Sequence, residues 1–424
     1  MINKMFTSWR ELLEKKSSSI YAILDQAVVS ASNFALAFLL ARFLPPNEYG
    51  AYVLALSVLL FINGIQTALS TIPLNVRGSS LKERKLHEYI QSLIYFHVLY
   101  GILFSFILII VYFILYKNSG STEITQAFLG VCIAFFFIQF QEFFKRLLYF
   151  WFRIKEVFII DFVINVCLVT SIIIMNLMGR LDSLSIYIMM SVTNLLGIVL
   201  CIYKIEIRKK WKTLNLKSII SGVLWNLNYG KWILGGNIFY WIGSQSYLFA
   251  ATIFLDISST AKIAATQNII NAVNVLVMGI QNIAMPMANK KLDIYGIAVL
   301  KKYIKKLIVI ISVSVGLYGI VITLFSESIM DFLYKGQYSD VLYLMGLWSI
   351  SFLISAINRM YTIFLNSTGK NKVNFYIYAF NAVLSVSLIV PITKVFEIYG
   401  MAIWTIIAGI IMLMINIKIF KSSK

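Results

Sequence analysis

The sequence predicts an all-α polytopic membrane protein with 12 transmembrane helices, in two six-helix lobes related by a parallel pseudo-two-fold repeat. Hydrophobic residues make up 60% of the 424 residues and charged residues only 13%, about half the charged fraction of a soluble domain. The mean hydropathy is +0.83. Twelve separate stretches reach the roughly 20 apolar residues that a helix needs to cross the hydrocarbon core of a membrane.

The predicted spans follow one another with short connections. Residues 1–16 are charged and predict an amphipathic cytoplasmic segment at the membrane surface. The apolar stretch that follows is too long for the core of a signal peptide, so we expect it to be retained as the first span. The predicted spans cover residues 17–44, 50–72, 89–116, 124–144, 157–178, 184–203, 232–255, 259–286, 304–326, 340–366, 374–393 and 400–420.

The Lys and Arg residues predict the orientation of these spans. Of the 37 Lys and Arg residues, 30 lie at the two termini and in the connections that follow even-numbered spans. The connections on the other side hold one or none each, and their cations are Lys117, Arg180, Lys262, Lys335 and Lys394. Because cytoplasmic connections are enriched in Lys and Arg, both termini are predicted to be cytoplasmic. The net charge of +19 is therefore a topology signal and indicates no nucleic-acid partner.

The longest predicted cytoplasmic connection, residues 204–231, divides the chain into an N-lobe (17–203) and a C-lobe (232–424). Short sequence matches recur between the lobes at a nearly constant offset, such as Gly64-Ile65-Gln66 with Gly279-Ile280-Gln281. Corresponding spans run in the same direction because six is an even number. This arrangement is a parallel repeat, which is a transporter design with a central cavity.

The sequence contains no signature of an enzyme, a metal site or a cofactor. Cys132, Cys167 and Cys201 lie in apolar runs, and no P-loop or zinc-protease motif occurs. The connections on the predicted outer side are too short, at about 14 residues or fewer, to build a catalytic site. We therefore expect a protein without enzymatic activity whose function resides within the spans.

Two charged residues lie deep inside predicted spans, where a charge is costly and needs a partner or a function. Asp25 in span 1 and Arg359 in span 10 both lie in the cytoplasmic half of the membrane. One hypothesis is that they meet across the lobes, so that both act in gating or ion coupling. The alternative is that each has a partner in its own lobe, or that Arg359 extends to the surface. Glu142 and Asp161 are predicted to pair with nearby cations at the membrane interface.

Amide, hydroxyl and aromatic side chains recur at helical spacing in spans 1, 2, 7 and 8, which correspond in the two halves. Such groups either bridge helices or line a cavity suited to a carbohydrate. In span 8, Gln267, Asn271 and Asn274 share one face of a continuous helix. With the two span-embedded arginines, the predicted substrate-binding residues are Arg42, Arg359, Gln66, Asn237, Trp241, Gln267, Asn271 and Asn274.

The N-terminal region resembles the polysaccharide transporter family, the Wzx-type flippases of the MATE/MOP superfamily. The resemblance rests on Leu24-Asp25-Gln26-Ala27-Val28-Val29-Ser30, Asn33-Phe34, Leu40-Ala41-Arg42-Phe43-Leu44 and Asn47-Glu48-Tyr49-Gly50. Pro45 stands where the family more often has Gly or Ser. The motif covers about residues 20–80 and marks the family, not a substrate.

The resemblance implies a flippase of the bacterial inner membrane that moves an undecaprenyl-diphosphate-linked oligosaccharide from the cytoplasmic to the outer leaflet. Such a protein serves surface polysaccharide biosynthesis, for example of the O-antigen of lipopolysaccharide. Implied partners are the lipid-linked substrate, the bilayer, a polysaccharide polymerase or chain-length machinery, and H+ or Na+. Two alternatives stay open: an ion-coupled multidrug antiporter of the same superfamily, and a membrane glycosyltransferase or polymerase.

Overall fold

The computed structural model of the protein describes the backbone of residues 2–205, 216–338, 340 and 342–423. Side chains are described for these residues except 2–19, 83, 84, 216–218, 282 and 371. The side chains of the predicted N-terminal segment, 1–16, and residues 206–215 of the predicted linker therefore lie outside the described part.

All regular elements of the described residues are helices, and no strand occurs among them. A five-residue π-helix, Thr67–Thr71, separates the second and third α-helices. In chain order the α-helices are α1 (Ile2–Phe43), α2 (Pro46–Gln66), α3 (Ile72–Gly78), α4 (Glu83–Asn118), α5 (Thr122–Phe150), α6 (Ile154–Leu177), α7 (Ser183–Ile205), α8 (Leu216–Phe254), α9 (Ile257–Asn271), α10 (Asn274–Leu324), α11 (Ser326–Tyr334), α12 (Leu342–Ser367) and α13 (Asn371–Ser422).

The predicted fold class is confirmed. In the part of the chain that the structure describes, nine helices are long and apolar enough to cross a membrane. Two of these, α10 and α13, are longer than 50 residues, which at 1.5 Å per residue is about 75 Å, against about 30 Å of hydrocarbon. Residues with positive φ divide them, Gly296 (φ 76°) in α10 and Glu397 (φ 49°) in α13. Each division falls between two predicted spans.

Backbone contacts group the chain into two compact units. Unit 1 contains Met1–Leu36 and Val58–Leu234, and unit 2 contains Ala37–Ser57 and Gly235–Lys424. The tip of the first helical hairpin is thus part of unit 2, and the first half of α8 is part of unit 1. The second half of the predicted linker is helical, since α8 begins at Leu216. The predicted lobe boundaries stay a prediction.

Each unit has its own apolar core. In unit 1, buried side chains of α4, α5 and α6 pack together, among them Leu93, Leu147 and Val157. In unit 2, α10, α12 and α13 form the core, with Ile304 and Phe364 completely buried. Such close packing is the main attraction between helices in lipid, where burial from water contributes little.

Span 2 is interrupted by the π-helix, and Pro73 explains its position. Proline has no N–H and its ring collides with the carbonyl of the residue four positions earlier. The helical turn before Pro73 is wider than an α-helical turn. The N–H of Ile72 donates to the carbonyl of Thr67, five residues back, which is the hydrogen bond of a π-helix. The periodicity of apolar residues did not predict this change.

The prediction of one continuous helix for span 8 is wrong. α9 ends at Asn271 and α10 begins at Asn274, with a tight turn at Ala272 and Val273. The N–H groups of these two residues donate three residues back, to Ile269 and Ile270. Because the turn changes the helical phase, Asn271 is exposed whereas Gln267 and Asn274 are partly buried.

Candidate functional site

The clearest polar site within the spans is formed by Arg359 on α12 and Asn274 on α10. Nη1 of Arg359 donates to Oδ1 of Asn274 at 2.6 Å. Both residues are partly buried. Arg359 forms no ion pair with any side chain that the structure describes. The site therefore holds a guanidinium whose charge no described carboxylate balances.

Aromatic rings extend this site along α13 and α8. Tyr378 on α13 lies near Arg359 and Thr362. Its ring packs edge-on against Tyr240, with centroids 5.4 Å apart, and Tyr240 is 52% exposed. A cation, an amide and an accessible aromatic face thus lie together in unit 2. This combination of groups suits an anionic group attached to a sugar better than it suits a hydrophobic cation.

Four further predicted substrate-binding residues of unit 2 lie on α8 and α9. The amide of Gln267 bonds the hydroxyl of Tyr247 at 3.0 Å. Nε1 of Trp241 donates to the carbonyl of Ser57 at 3.0 Å. Asn237 is partly buried and has a partner, and Asn271 is exposed at the end of α9. Two of these four side chains thus contact other elements of unit 2.

Arg42, near the end of α1, contacts the end of α11. Its Nη1 donates to the carbonyls of Phe332 and Leu333, at 3.0 and 3.3 Å. These carbonyls lie in the last turn of α11, where helix carbonyls have no partner within the helix and attract cations. In this structure Arg42 caps a helix, and its contact with substrate stays a prediction.

The second part of the family-like motif, residues 40–50, belongs to the same unit. Asn268 donates to the hydroxyl of Tyr49 at 2.7 Å, and Tyr338 donates to the carbonyl of Ala41 at 3.3 Å. Gly50 leaves room for the backbone of α9, because a Cβ atom there would collide with the carbonyl oxygen of Ile257. The motif that resembles the polysaccharide transporters therefore fixes the hairpin tip in unit 2.

Gln66 is buried in unit 1. Its side chain is 1% exposed, and its Nε2 donates to the carbonyl of Gln139 at 3.0 Å. Its Oε1 has no partner among the described atoms. A role in substrate contact stays a prediction for this residue as well.

Asp25 lies in a buried charged network of unit 1. It is 4% exposed, and the hydroxyl of Tyr149 donates to its Oδ2 in a very short hydrogen bond. On α5, the helix that carries Tyr149, Lys145 pairs with Glu142 at 2.9 Å. Lys145 also pairs with Asp161 of α6 at 3.3 Å. Oδ1 of Asp25 has no described partner. The predicted pairing of Glu142 and Asp161 with nearby cations therefore occurs.

Tyr149 was not predicted as a functional residue. It follows Glu142 by seven residues and Lys145 by four, so the helical period places it on their face of α5. Asp25 and Arg359 have partners in their own units, Tyr149 and Asn274 respectively. Their pairing across the lobes stays a prediction. Within the described side chains, no group of three or more His, Cys, Asp or Glu residues is arranged to hold a metal ion.

No model of a known protein family and no curated protein sequence matches the chain. Solved structures do share its fold. An inward-facing multidrug resistance MATE family transporter of the MOP superfamily is 12% identical, with a TM-score of 0.75 over 96% of this chain and 100% of that one. The lipid II flippase MurJ, in an inward closed conformation, is 13% identical, with a TM-score of 0.71 over 96% of this chain and 87% of that one.

The eukaryotic MATE transporter AtDTX14 is 14% identical, with a TM-score of 0.64 over 97% of this chain and 96% of that one. At these identities the likeness shows the fold alone. The chain has the multi-pass membrane protein fold of these MOP superfamily transporters. These neighbours are transporters and flippases, not enzymes.

Proposed function

We propose that the protein is a flippase of the Wzx type, which translocates undecaprenyl-diphosphate-linked oligosaccharide across the bacterial inner membrane. The lipid-linked sugar enters from the cytoplasmic leaflet, alternating access exposes it to the other side, and the lipid tail stays in the bilayer. The proposed role is in surface polysaccharide biosynthesis, such as that of O-antigen. Support comes from the fold, which MATE transporters and the lipid II flippase share.

The observation that carries the proposal is the unbalanced charge of Arg359. A cation in a membrane span without a carboxylate partner is costly unless an anion binds there. Guanidinium presents five N–H donors in a plane, which suits the oxygens of a phosphate. Asn274 accepts from one nitrogen of Arg359, which leaves the other donors for a diphosphate.

The sugar part of the substrate is assigned to the aromatic and amide groups around Arg359. Tyr240 exposes a ring face, and Asn271 exposes an amide within the same unit. Amides and hydroxyls satisfy the hydroxyl groups of a sugar. The predicted contacts of Asn237, Trp241 and Gln267 with the sugar require rearrangement of the hydrogen bonds that Trp241 and Gln267 make here.

An ion-coupled multidrug antiporter is the second candidate, and Asp25 favours it. Its carboxylate is buried and one of its oxygens has no described partner. A buried carboxylate of this kind can carry a proton or a sodium ion. Ion coupling is also compatible with a flippase, so only the transported substrate separates the two candidates.

The deciding experiment follows a labelled lipid-linked oligosaccharide across the membrane of proteoliposomes that contain the full-length protein. We expect transport by the wild type and a tenfold to hundredfold loss with Arg359→Gln, since a hydrogen bond to a charged group contributes about 1.5–3 kcal/mol. Arg359→Lys should retain part of the activity because it keeps the charge.

Arg180→Gln is the matched control, since this arginine is exposed and outside the site. Undiminished transport in Arg359→Gln would refute the role of this residue. Transport of a labelled organic cation, without transport of the lipid-linked sugar, would assign the antiporter function instead.

A further inference from the structure

The middle of α10 carries the densest run of positive charge in the described part of the chain. We call residues 290–306 the lysine segment. It contains one acidic residue, Asp293, and is divided by the kink at Gly296. Its six lysines are Lys290, Lys291, Lys301, Lys302, Lys305 and Lys306. Since α10 is far longer than one membrane crossing, the kink lies outside the hydrocarbon core.

Most of these lysines have no anionic partner within the protein. Nζ of Lys301 donates to the carbonyl of Ser423 at 2.5 Å, and Lys291 lies 5.3 Å from the ring centroid of Tyr303. The other four, Lys290, Lys302, Lys305 and Lys306, are exposed and form no ion pair with any described side chain.

The connection between α5 and α6 lies on the same predicted face and is built differently. There Lys145 and Arg146 pair with Glu142, and Arg153 pairs with Glu156 at 3.0 Å. Those cations mark the cytoplasmic side and are balanced within the chain. Cations can therefore mark the cytoplasmic side while they are paired with carboxylates of the chain. The lysines of the lysine segment are not paired in this way, so their charge is available to an external anion.

Apolar side chains are exposed beside these charges. Ile294 is 57% exposed and Tyr295 is 62% exposed, immediately before Gly296. Beyond the kink, Lys302, Lys305 and Lys306 follow the i, i+3, i+4 spacing that places them on one helical face. Exposed apolar groups flanked by lysines are typical of segments that lie in a membrane interface.

We propose that the lysine segment binds the anionic phospholipid headgroups of the cytoplasmic leaflet. Lys302, Lys305 and Lys306 bind the headgroup phosphates, and Ile294 and Tyr295 insert among the acyl chains below. The positive charge of the lysine segment is complementary to an anionic membrane surface, and each lysine near that surface strengthens the binding. The segment joins two membrane spans, so it is held at the height of the headgroups.

The test measures which lipids remain bound to the detergent-solubilised full-length protein, by native mass spectrometry in an equimolar mixture of phosphatidylglycerol and phosphatidylcholine. We expect the wild type to retain phosphatidylglycerol preferentially. In Lys302→Gln/Lys305→Gln/Lys306→Gln this preference should fall by roughly tenfold to a hundredfold. High salt should reduce the wild-type preference, because these charges are exposed.

The matched control removes the same charge from the predicted outer side, with Lys117→Gln/Lys335→Gln/Lys394→Gln. These lysines are exposed, and the control should keep the wild-type preference. The double variant Lys305→Gln/Lys306→Gln provides a milder change should the triple variant fail to fold. Ile294→Ser/Tyr295→Ser should weaken retention of both lipids.

Three outcomes would overturn the proposal. The first is an equal preference in the wild type and in the lysine variants. The second is displacement of phosphatidylglycerol by inorganic phosphate at an ionic strength at which sodium chloride has no effect, which would assign the lysines to a free phosphate ion. The third is displacement by polyglutamate, which would assign them to an acidic protein. None of these outcomes depends on transport, so the proposed function is tested separately.

Discussion

At the scale of the residue, Glu397 has a backbone conformation that side-chain-bearing residues rarely adopt. Its φ is 49° and its ψ is −133°, outside the left-handed helical region that Asn and Asp tolerate. Conformations of this kind cost about 1–3 kcal/mol in residues other than glycine. Its counterpart in the other long helix, Gly296, has no side chain that resists its φ of 76°.

Replacing Glu397 with glycine should therefore stabilise the protein. We expect the free energy of unfolding to rise by about 1 kcal/mol, which is the relief of strain less the greater flexibility of glycine in the unfolded chain. Thermal unfolding in detergent measures the change. Val395→Gly is the control, since this exposed residue lies within the helix and glycine should cost about 1 kcal/mol there. If Glu397→Gly destabilised the protein as much as Val395→Gly does, the backbone of Glu397 would not be strained.

The site could be predicted from the sequence only one residue at a time. Arg359 was identified because a charge within an apolar span is unusual, and the structure gives it the predicted site residue Asn274 as a partner. Their contact joins residues 85 positions apart, and no local pattern reports such a distance. Arg42 was identified by the same rule, but its partners are carbonyl groups, which every residue has. The sequence therefore does not distinguish a capping arginine from a binding one.

Arg42 can be tested for both roles. Arg42→Gln should lower the free energy of unfolding by about 1.5–3 kcal/mol, because two carbonyls of α11 lose a charged donor. Thermal unfolding measures this loss, and Arg180→Gln should leave stability unchanged. A variant of Arg42 with wild-type stability and impaired transport would instead support the predicted contact with substrate.

At the scale of the element, the approach of α8 to the π-helix depends on Gly230. A Cβ atom at this position would lie 2.5 Å from the carbonyl oxygen of Ala68. This carbonyl lies five residues before Pro73, which has no N–H to donate to it. The backbone of α8 at Gly230 thus packs directly against the π-helix within unit 1.

Gly230→Val should destabilise the protein by about 1–3 kcal/mol, because the side chain forces the two backbones apart. Thermal unfolding is again the measurement. Gly236→Ala on the same helix is the control, because no atom lies within 4 Å of a Cβ there. We expect that change to be neutral or stabilising. An unchanged melting temperature in Gly230→Val would refute the close contact.

The predicted spans fall in helical segments because each depends on composition over about 20 residues, which is a strong signal. Their continuity was not predicted correctly everywhere, since a turn divides span 8 and the π-helix interrupts span 2. The π-helix, the turn at Ala272 and Val273, and the short helix α11 depend on one or two residues each and were not predicted. Pro73 was visible in the sequence, but a proline ends, kinks or widens a helix according to what packs against it.

At the scale of the whole molecule, the distribution of Lys and Arg predicts the orientation in the membrane. Single cysteines introduced at Lys394 and at Lys302 test it, in a background whose three native cysteines are replaced by serine. Both lysines are exposed. In intact cells, a membrane-impermeant maleimide should label Lys394→Cys, and should label Lys302→Cys only after the membrane is opened. The reverse pattern would place both termini outside the cytoplasm.

The membership of residues 37–57 in unit 2 has a consequence for how the chain is made. Three hydrogen bonds of this hairpin tip join residues 219, 290 and 297 positions apart. When the first two spans leave the ribosome, Asn268, Phe332 and Tyr338 have not yet been synthesised. Arg42 and Tyr49 therefore enter the membrane before their final partners exist. Formation of these contacts is a late step of biogenesis. A nascent chain arrested before residue 268 should expose this tip to membrane proteases, whereas the finished chain protects it.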